Sequence, residues 1–226
     1  MKITLVSAAN GKTGQHVIAA LRLRTDPGLI HGFANRPVES VDQTIIGDMS
    51  DFRALERAVD GVDTVIHYGP PMHPHETIMG TGMIDAAQTL GVRRFVYISV
   101  IHPEIDDLIN HKAKLAVEAH LIKSRLDWTV LRPQHYMQNI AVAKVVQDGR
   151  LVMPYPITTR LGHVDMQDLA EAAARVASED GHSSATYDIS AEENLSVEEI
   201  CKIISRISGK SVQAQAIDPS QLIEII

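Results

Sequence analysis

The feature that most constrains this chain is an alternation. Short β-branched or apolar runs at 2–7, 29–34, 44–46, 64–67, 94–99 and 128–132 alternate with stretches of helical periodicity. The helical stretches follow the first turn, where Val17, Ile18 and Leu21 share a face, and then lie at 51–59, 76–90 and 111–123. A strand, a helix and a further strand in the same sheet connect by a right-handed crossover. The expected fold class is therefore α/β, with a mostly parallel, doubly wound sheet covered by helices on both faces. In such a sheet the loops at the carboxyl ends of the strands bind ligands.

At about 150 residues per domain, the 226 residues favour one domain with an elaborated end over two large domains. Residues 1–150 are expected to form the parallel-sheet domain, and 151–226 a small C-terminal α/β lobe interleaved with it. The lobe carries a Gly- and Pro-bearing connector at 149–162, a helix near 167–177, a strand at 187–189 and a capping box at Ser196 and Glu199. The last residues, 222–226, are apolar and end without a helix-stop signal, which suggests that a final element follows.

Composition removes several functions. Hydrophobic residues at 45% and charged residues at 22% exclude a largely disordered or fibrous chain. A formal charge of −7 without a basic block disfavours a nucleic-acid partner. The lone Cys201 forms neither an internal disulfide nor a zinc ribbon, and the first six residues are too short an apolar run for a signal sequence or a membrane span. A cytoplasmic location is expected, with no membrane association.

The segment Ala8-Ala9-Asn10-Gly11-Lys12-Thr13-Gly14 follows the first strand and opens the first helix, where free amides and the helix dipole favour an anion. A nucleoside-triphosphate loop is excluded, because it needs Gly five residues before Gly11 and the chain has Val6. The segment instead fits a dinucleotide turn with Ala8 in the leading glycine slot, Gly11 allowing close backbone approach and Gly14 allowing close helix-to-strand packing. At the end of the second strand, Ala34-Asn35-Arg36 lacks the acid that holds the ribose hydroxyls of NAD; Arg36 suits a 2′-phosphate, so NADP is expected, with NAD possible. Asp48 has two readings of equal weight, a partner of the adenine amino group or a cap on the next helix.

Taken in order, A-A-N-G-K-T-G, F-A-N-R, I-G-D, G-V-R-R-F-V-Y-I-S, L-R-P-Q-H-Y-M-Q-N, H-V-D-M-Q-D-L-A and L-S-V-E-E-I resemble the NmrA-like family of atypical short-chain dehydrogenases/reductases, over residues 1–215. The resemblance implies a Rossmann-like fold with a small C-terminal lobe, NADP or NAD binding, and either reductase activity, often on quinones, or cofactor sensing without turnover. It implies that Asn10 to Thr13 and Arg36 hold phosphates and that Tyr68, Gly69 and Pro70 flank the cofactor. It further implies that Ser99, Lys114 and the stretch from Pro133 through His135 and Tyr136 surround the nicotinamide ribose and the substrate, with Asn139 on the substrate side.

Ordinary short-chain dehydrogenases pair Tyr and Lys as Y-x-x-x-K, and this chain has no such pair. Lys114 occupies the family's lysine position, and His111 lies one helical turn earlier. The expected division is that Lys114 binds the ribose, His111 supplies or relays a proton, and Tyr136 with His135 meets a flat acceptor. Without the tyrosine, reduction of a simple ketone lacks its acid. A quinone yields a delocalised hydroquinone anion, near a phenol in basicity, and needs less help. A small quinone or similar conjugated acceptor is thus the expected substrate. The rivals are a cofactor-binding sensor acting through a protein partner and, less favoured, an epimerase. His67, His73, His75 and Glu76 are close in sequence, but the second His of H-E-x-x-H is Met79, and no metal site is expected. No G-x-S-x-G nucleophile elbow is present.

Overall fold

The structure, a computed structural model, describes residues 2–224, the side chains of 222–224 excepted. The apolar end that suggested a further element thus lies outside the described side chains. In chain order the elements are β1 (Ile3–Ser7), α1 (Lys12–Arg22), β2 (Leu29–Ala34), β3 (Gln43–Ile46), α2 (Phe52–Val59), β4 (Thr64–His67), α3 (Glu76–Thr89), β5 (Arg94–Ile98), α4 (Ile109–Ile122) and β6 (Asp127–Pro133). There follow β7 (His135–Tyr136), α5 (Val142–Asp148), β8 (Arg150–Met153), β9 (Leu161–Val164), α6 (Met166–Ser178), β10 (Ala185–Ile189), β11 (Asn194–Leu195), α7 (Val197–Ser208) and β12 (Gln213–Ala216).

The chain divides into two compact units, Met1–Pro133 with Met166–Ile189, and Gln134–Asp165 with Ser190–Ile226. The break expected near residue 150 falls inside the second unit. The helix and strand assigned from sequence to the tail, α6 and β10, belong to the first. The reason is packing: Leu169, Ala170, Ala173, Ala174 and Ala177 bury one face of α6, while the Arg94 guanidinium at the start of β5 donates to the last carbonyls of that helix, Val176 O at 3.3 Å and Ala177 O at 3.2 Å.

The first unit is built on a seven-stranded sheet in the order β10-β6-β5-β4-β1-β2-β3, whose neighbouring strands all pair in parallel. All four residues of β4 and all five of β5 are buried, as a sheet covered on both faces requires. In α1 the buried positions Thr13, Gly14, Val17, Ile18 and Leu21 recur at helical spacing, and Asp51 caps α2 by accepting from Arg53 N at 3.0 Å. Leu5, Phe33, Phe95 and Tyr97 anchor the core, and burying each stabilises the unit by roughly 1.5–3 kcal/mol. The chain runs outward from β1 through β2 to β3, then returns to the other side of β1 at β4. That reversal opens a crevice between the carboxyl ends of β1 and β4.

The second unit holds two small sheets, β11-β9-β7 and β12-β8, and a core of Val145, Leu151, Val197, Cys201, Ile204 and Val212. The capping box is formed as the sequence predicts: Glu199 N donates to Ser196 Oγ at 3.2 Å, and Ser196 N donates to Glu199 Oε2 at 2.8 Å.

Candidate cofactor and active site

The turn at the end of β1 shows why its glycines are spaced as they are. Ala8 adopts φ 47°, in the left-handed region, which costs a non-glycine residue about 1–2 kcal/mol. The slot therefore has the backbone of a glycine, and alanine fills it with strain. Gly11 N donates to Ala8 O at 2.8 Å to close the turn, and α1 begins at Lys12 with no side chain capping its first amides. A Cβ on Gly14 would lie 2.5 Å from Ala8 O and 3.0 Å from Ala9 Cα, so hydrogen at this position is what lets the helix start against the turn. Thr13 is buried and Lys12 exposed.

Asn10 Nδ2 donates to Asn35 Oδ1 at 2.9 Å, tying the turn to the residue just after β2. Arg36, next to it, is exposed and has no ion pair among the described residues. Asp48 does not cap α2, which Asp51 does; its Oδ1 accepts from Ser50 N at 2.7 Å in an Asx turn, and its side chain stays exposed.

Beside this turn lies a buried polar cluster that sequence reasoning assembled only in part. Ser7, the last residue of β1, is fully buried and bridges to the end of β4: its Oγ accepts from Tyr68 N at 2.8 Å, lies 3.2 Å from Tyr68 O and sits 2.9 Å from His67 Nδ1. His67 is completely buried, stacked on Tyr97 with ring centroids 5.8 Å apart. Burial, and then the charge of Lys114, push its pKa down to about 3, so it is a neutral imidazole at any ordinary pH. Lys114 is likewise buried, with Nζ 2.9 Å from Glu76 Oε1 and over the rings of Tyr68 and Tyr97, at 5.3 and 5.8 Å from their centroids. Glu76 is the first residue of α3 and is 2% exposed. Nζ and Oε1 form an ion pair. Beyond that pair, Glu76 Oε1 and Oε2, Lys114 Nζ, His67 Nε2 and Ser99 Oγ are buried without a further hydrogen-bond partner. Native interiors hold only a few such atoms, so five around one strand-end crevice mark a place suited to receive polar groups.

His111 and Lys114 have separate partners, although one helix carries both. His111 Nδ1 lies 2.9 Å from His102 O; since a carbonyl only accepts, Nδ1 carries the hydrogen and Nε2 of the neutral ring is left as the acceptor. Lys114 is no solvated helix position, being 3% exposed. Ser99 N donates to Leu131 O at 2.8 Å, and Pro133 O accepts from Ile101 N at 3.0 Å, which fixes the loop after β5 against β6. Gly69 is buried; Tyr68 and Pro70 are half-buried.

The expected substrate-side residues His135, Tyr136 and Asn139 belong to the second unit. There β7 pairs in parallel with β9, His135 opposite His163 with ring centroids 6.0 Å apart and Tyr136 opposite Val164; His135 and Asn139 are exposed and Tyr136 half-buried. Among the described residues no group of three His, Cys, Asp or Glu side chains is arranged to hold a metal ion. His73 and His75 pack ring against ring, 5.6 Å apart.

Glu76 was missed as a partner of Lys114. The two are far apart in sequence, and the only signal was an acidic residue at a predicted helix start, six residues beyond the His-Tyr-Gly-Pro strand end. Ser7 reads from sequence as an ordinary strand residue, and His67 is considered only with His73, His75 and Glu76 as a metal cluster.

The sequence profile of the NmrA-like family matches residues 2–226. The chain belongs to the NmrA-like family. Among curated proteins, this NmrA-like chain is 29% identical over 182 residues to the NAD(P)H azoreductase of Xenophilus azovorans, covering 79% of this chain and 63% of that protein. It is 24% identical over 217 residues to quinone oxidoreductase 2 of Escherichia coli, covering 93% and 76%. The chain thus spans less than two thirds of the azoreductase. Its fold matches the Escherichia coli NADPH-dependent quinone oxidoreductase solved with NADPH at a TM-score of 0.87 and 22% identity, covering 98% of this chain and 81% of that one. It matches the Citrobacter triphenylmethane reductase solved with NADP(H) at 0.88 and 23%, covering 98% and 82%. The α/β Rossmann-like fold is common to all three.

Proposed function

We propose that this NmrA-like protein is an NAD(P)H-dependent oxidoreductase, using NADPH by preference, that reduces a small quinone or similar conjugated acceptor in the cytoplasm. The observation that carries the reading is the pairing of an uncapped helix-start turn with a cluster of unpartnered buried polar atoms at the one crevice where the strand order reverses. The relatives named above as reductases of azo compounds, quinones and triphenylmethanes support a conjugated acceptor.

When bound, the nicotinamide supplies the hydride. The backbone at Ala8, Asn10, Gly11, Lys12, Thr13 and Gly14 holds the pyrophosphate, and Arg36 the 2′-phosphate. Asp48 meets the adenine, and Tyr68, Gly69 and Pro70 wall the site. Lys114, Ser99 and Pro133 bind the nicotinamide ribose. His67, held neutral by its burial, is no proton donor at neutral pH. Tyr97 is none either, since burial first and then the Glu76 carboxylate raise its pKa well above that of a free phenol. His111, with Nδ1 on the His102 carbonyl, relays a proton through Nε2. A hydroquinone anion is delocalised and near a phenol in basicity, so it needs little help from a proton donor.

Steady-state NADPH oxidation with a panel of quinones and simple ketones tests the reading. Turnover with quinones and little with ketones is expected. Tight NADPH binding with no turnover on any acceptor overturns it in favour of a sensor that acts through a protein partner, the reading that the missing Y-x-x-x-K motif favours.

A further inference from the structure

We propose that Glu76 is the positioning residue of Lys114, setting its ammonium for the nicotinamide half of the cofactor; this rests on the functional reading above. The two charges are 2.9 Å apart, 2% and 4% exposed, and come from different elements, the first turn of α3 and the interior of α4. A buried ammonium needs a compensating charge. The structure leaves Lys114 one close source. Glu118, the other buried carboxylate nearby, is taken by Arg132, whose Nη2 donates to Glu118 Oε2 at 2.6 Å and Nε to Oε1 at 3.2 Å. His67 on β4 is neutral, and Tyr97 on β5 and Tyr68 after β4 offer ring faces. The start of α3 suits a carboxylate, since the helix dipole favours negative charge there.

Lys114 Nζ keeps donor capacity beyond its contact with Glu76, since it has no other hydrogen-bond partner. A ribose hydroxyl can accept from that ammonium while Glu76 holds it from the other side. Glu76 thereby acts on the cofactor through Lys114. No similar contact is available to the adenosine half, whose expected partners are Arg36 and Asp48.

The test compares two ligands, NADPH and adenosine 2′,5′-bisphosphate, which carries the 2′-phosphate but no nicotinamide ribose. Binding is measured by calorimetry on the wild type, Glu76→Gln, Glu76→Asp, Lys114→Met and the double variant Glu76→Gln/Lys114→Met. Glu76→Gln is expected to weaken NADPH by about tenfold or more, the scale of a hydrogen bond to a charged group. It should leave the bisphosphate within about twofold, the ordinary error of independent sites. Glu76→Asp should recover part of the loss, and in the Lys114→Met background Glu76→Gln should cost nothing further. The double variant replaces both charges with neutral groups of similar shape, which keeps the comparison meaningful if a lone charge unfolds the single variants. Unchanged NADPH affinity in Glu76→Gln, equal loss of both ligands, or a further loss on adding Glu76→Gln to Lys114→Met overturns the assignment. A wild type that binds no NADPH overturns the functional reading itself, and this proposal with it.

Discussion

Replacing Gly14 by alanine sets two effects of opposite sign against each other. Gly14 lies inside α1, and alanine is favoured over glycine in a helix interior by about 1 kcal/mol. On propensity alone the variant is stabilised. The added methyl, however, would sit 2.5 Å from Ala8 O and 3.0 Å from Ala9 Cα. Both obstacles are backbone, so no side chain can rotate away, and overpacking of this kind costs typically 1–3 kcal/mol, here toward the upper end. The net expectation is a loss of about 1–2 kcal/mol, a fall in Tm of about 2–8 °C for a chain of this size. Gly82→Ala in α3 is the control: the same propensity gain applies, but its nearest neighbour is Leu55 Cδ1 at 3.1 Å, the end of a flexible side chain. Thermal melts of both variants, with NADPH titrations, decide the matter. Gly14→Ala should melt lower, bind NADPH more weakly and contrast with a near-neutral Gly82→Ala. A Gly14→Ala protein that melts higher than the wild type would refute the close approach of α1 to the turn.

Ala8→Gly should raise stability by up to about 1 kcal/mol, the relief of left-handed strain less the entropy glycine brings to the unfolded chain; a urea midpoint below that of the wild type would count against the φ of 47°. Arg36→Ala should abolish the preference for NADPH over NADH, read as the ratio of kcat/KM values, and a retained preference would place the 2′-phosphate elsewhere. Protonation of His67 gives a pH signature. Its folded pKa, about 3, lies below its unfolded value, so the unfolded state binds the proton first and the stability due to the neutral imidazole, full above about pH 6.5, is lost as pH falls toward 3. Between pH 6.5 and 5 that loss is about 2 kcal/mol. His67→Asn should remove it, and an acid sensitivity unchanged in the variant would show that His67 is accessible to protons in the fold.

Much of the first unit was legible because periodicity is local. Every strand from β1 to β6 was expected within two residues of its place, since a buried parallel strand is a continuous apolar run and an amphipathic helix repeats its buried face. The turn from Ala8 to Gly14 was legible for the same reason: strand, small residues and helix start are consecutive. The unit to which α6 and β10 belong was not, because it depends on Arg94 reaching the end of α6 from more than eighty residues away. Asp48 and Asp51 show the limit at short range, two acids before one helix of which geometry selects the second as cap.

The sequence by itself determined the order of strands and helices, the strand-to-helix turn with an alanine in a glycine's slot, the capping box at Ser196 and the lack of a Y-x-x-x-K pair. Each is a property of neighbours along the chain. Only the tertiary structure decided that Ser7 and His67 join across the sheet reversal, that Lys114 is buried, and that Glu76 is its counter-charge. Burial and charge pairing are set by which strand ends meet, and the crossover connections bring together residues that no local pattern relates.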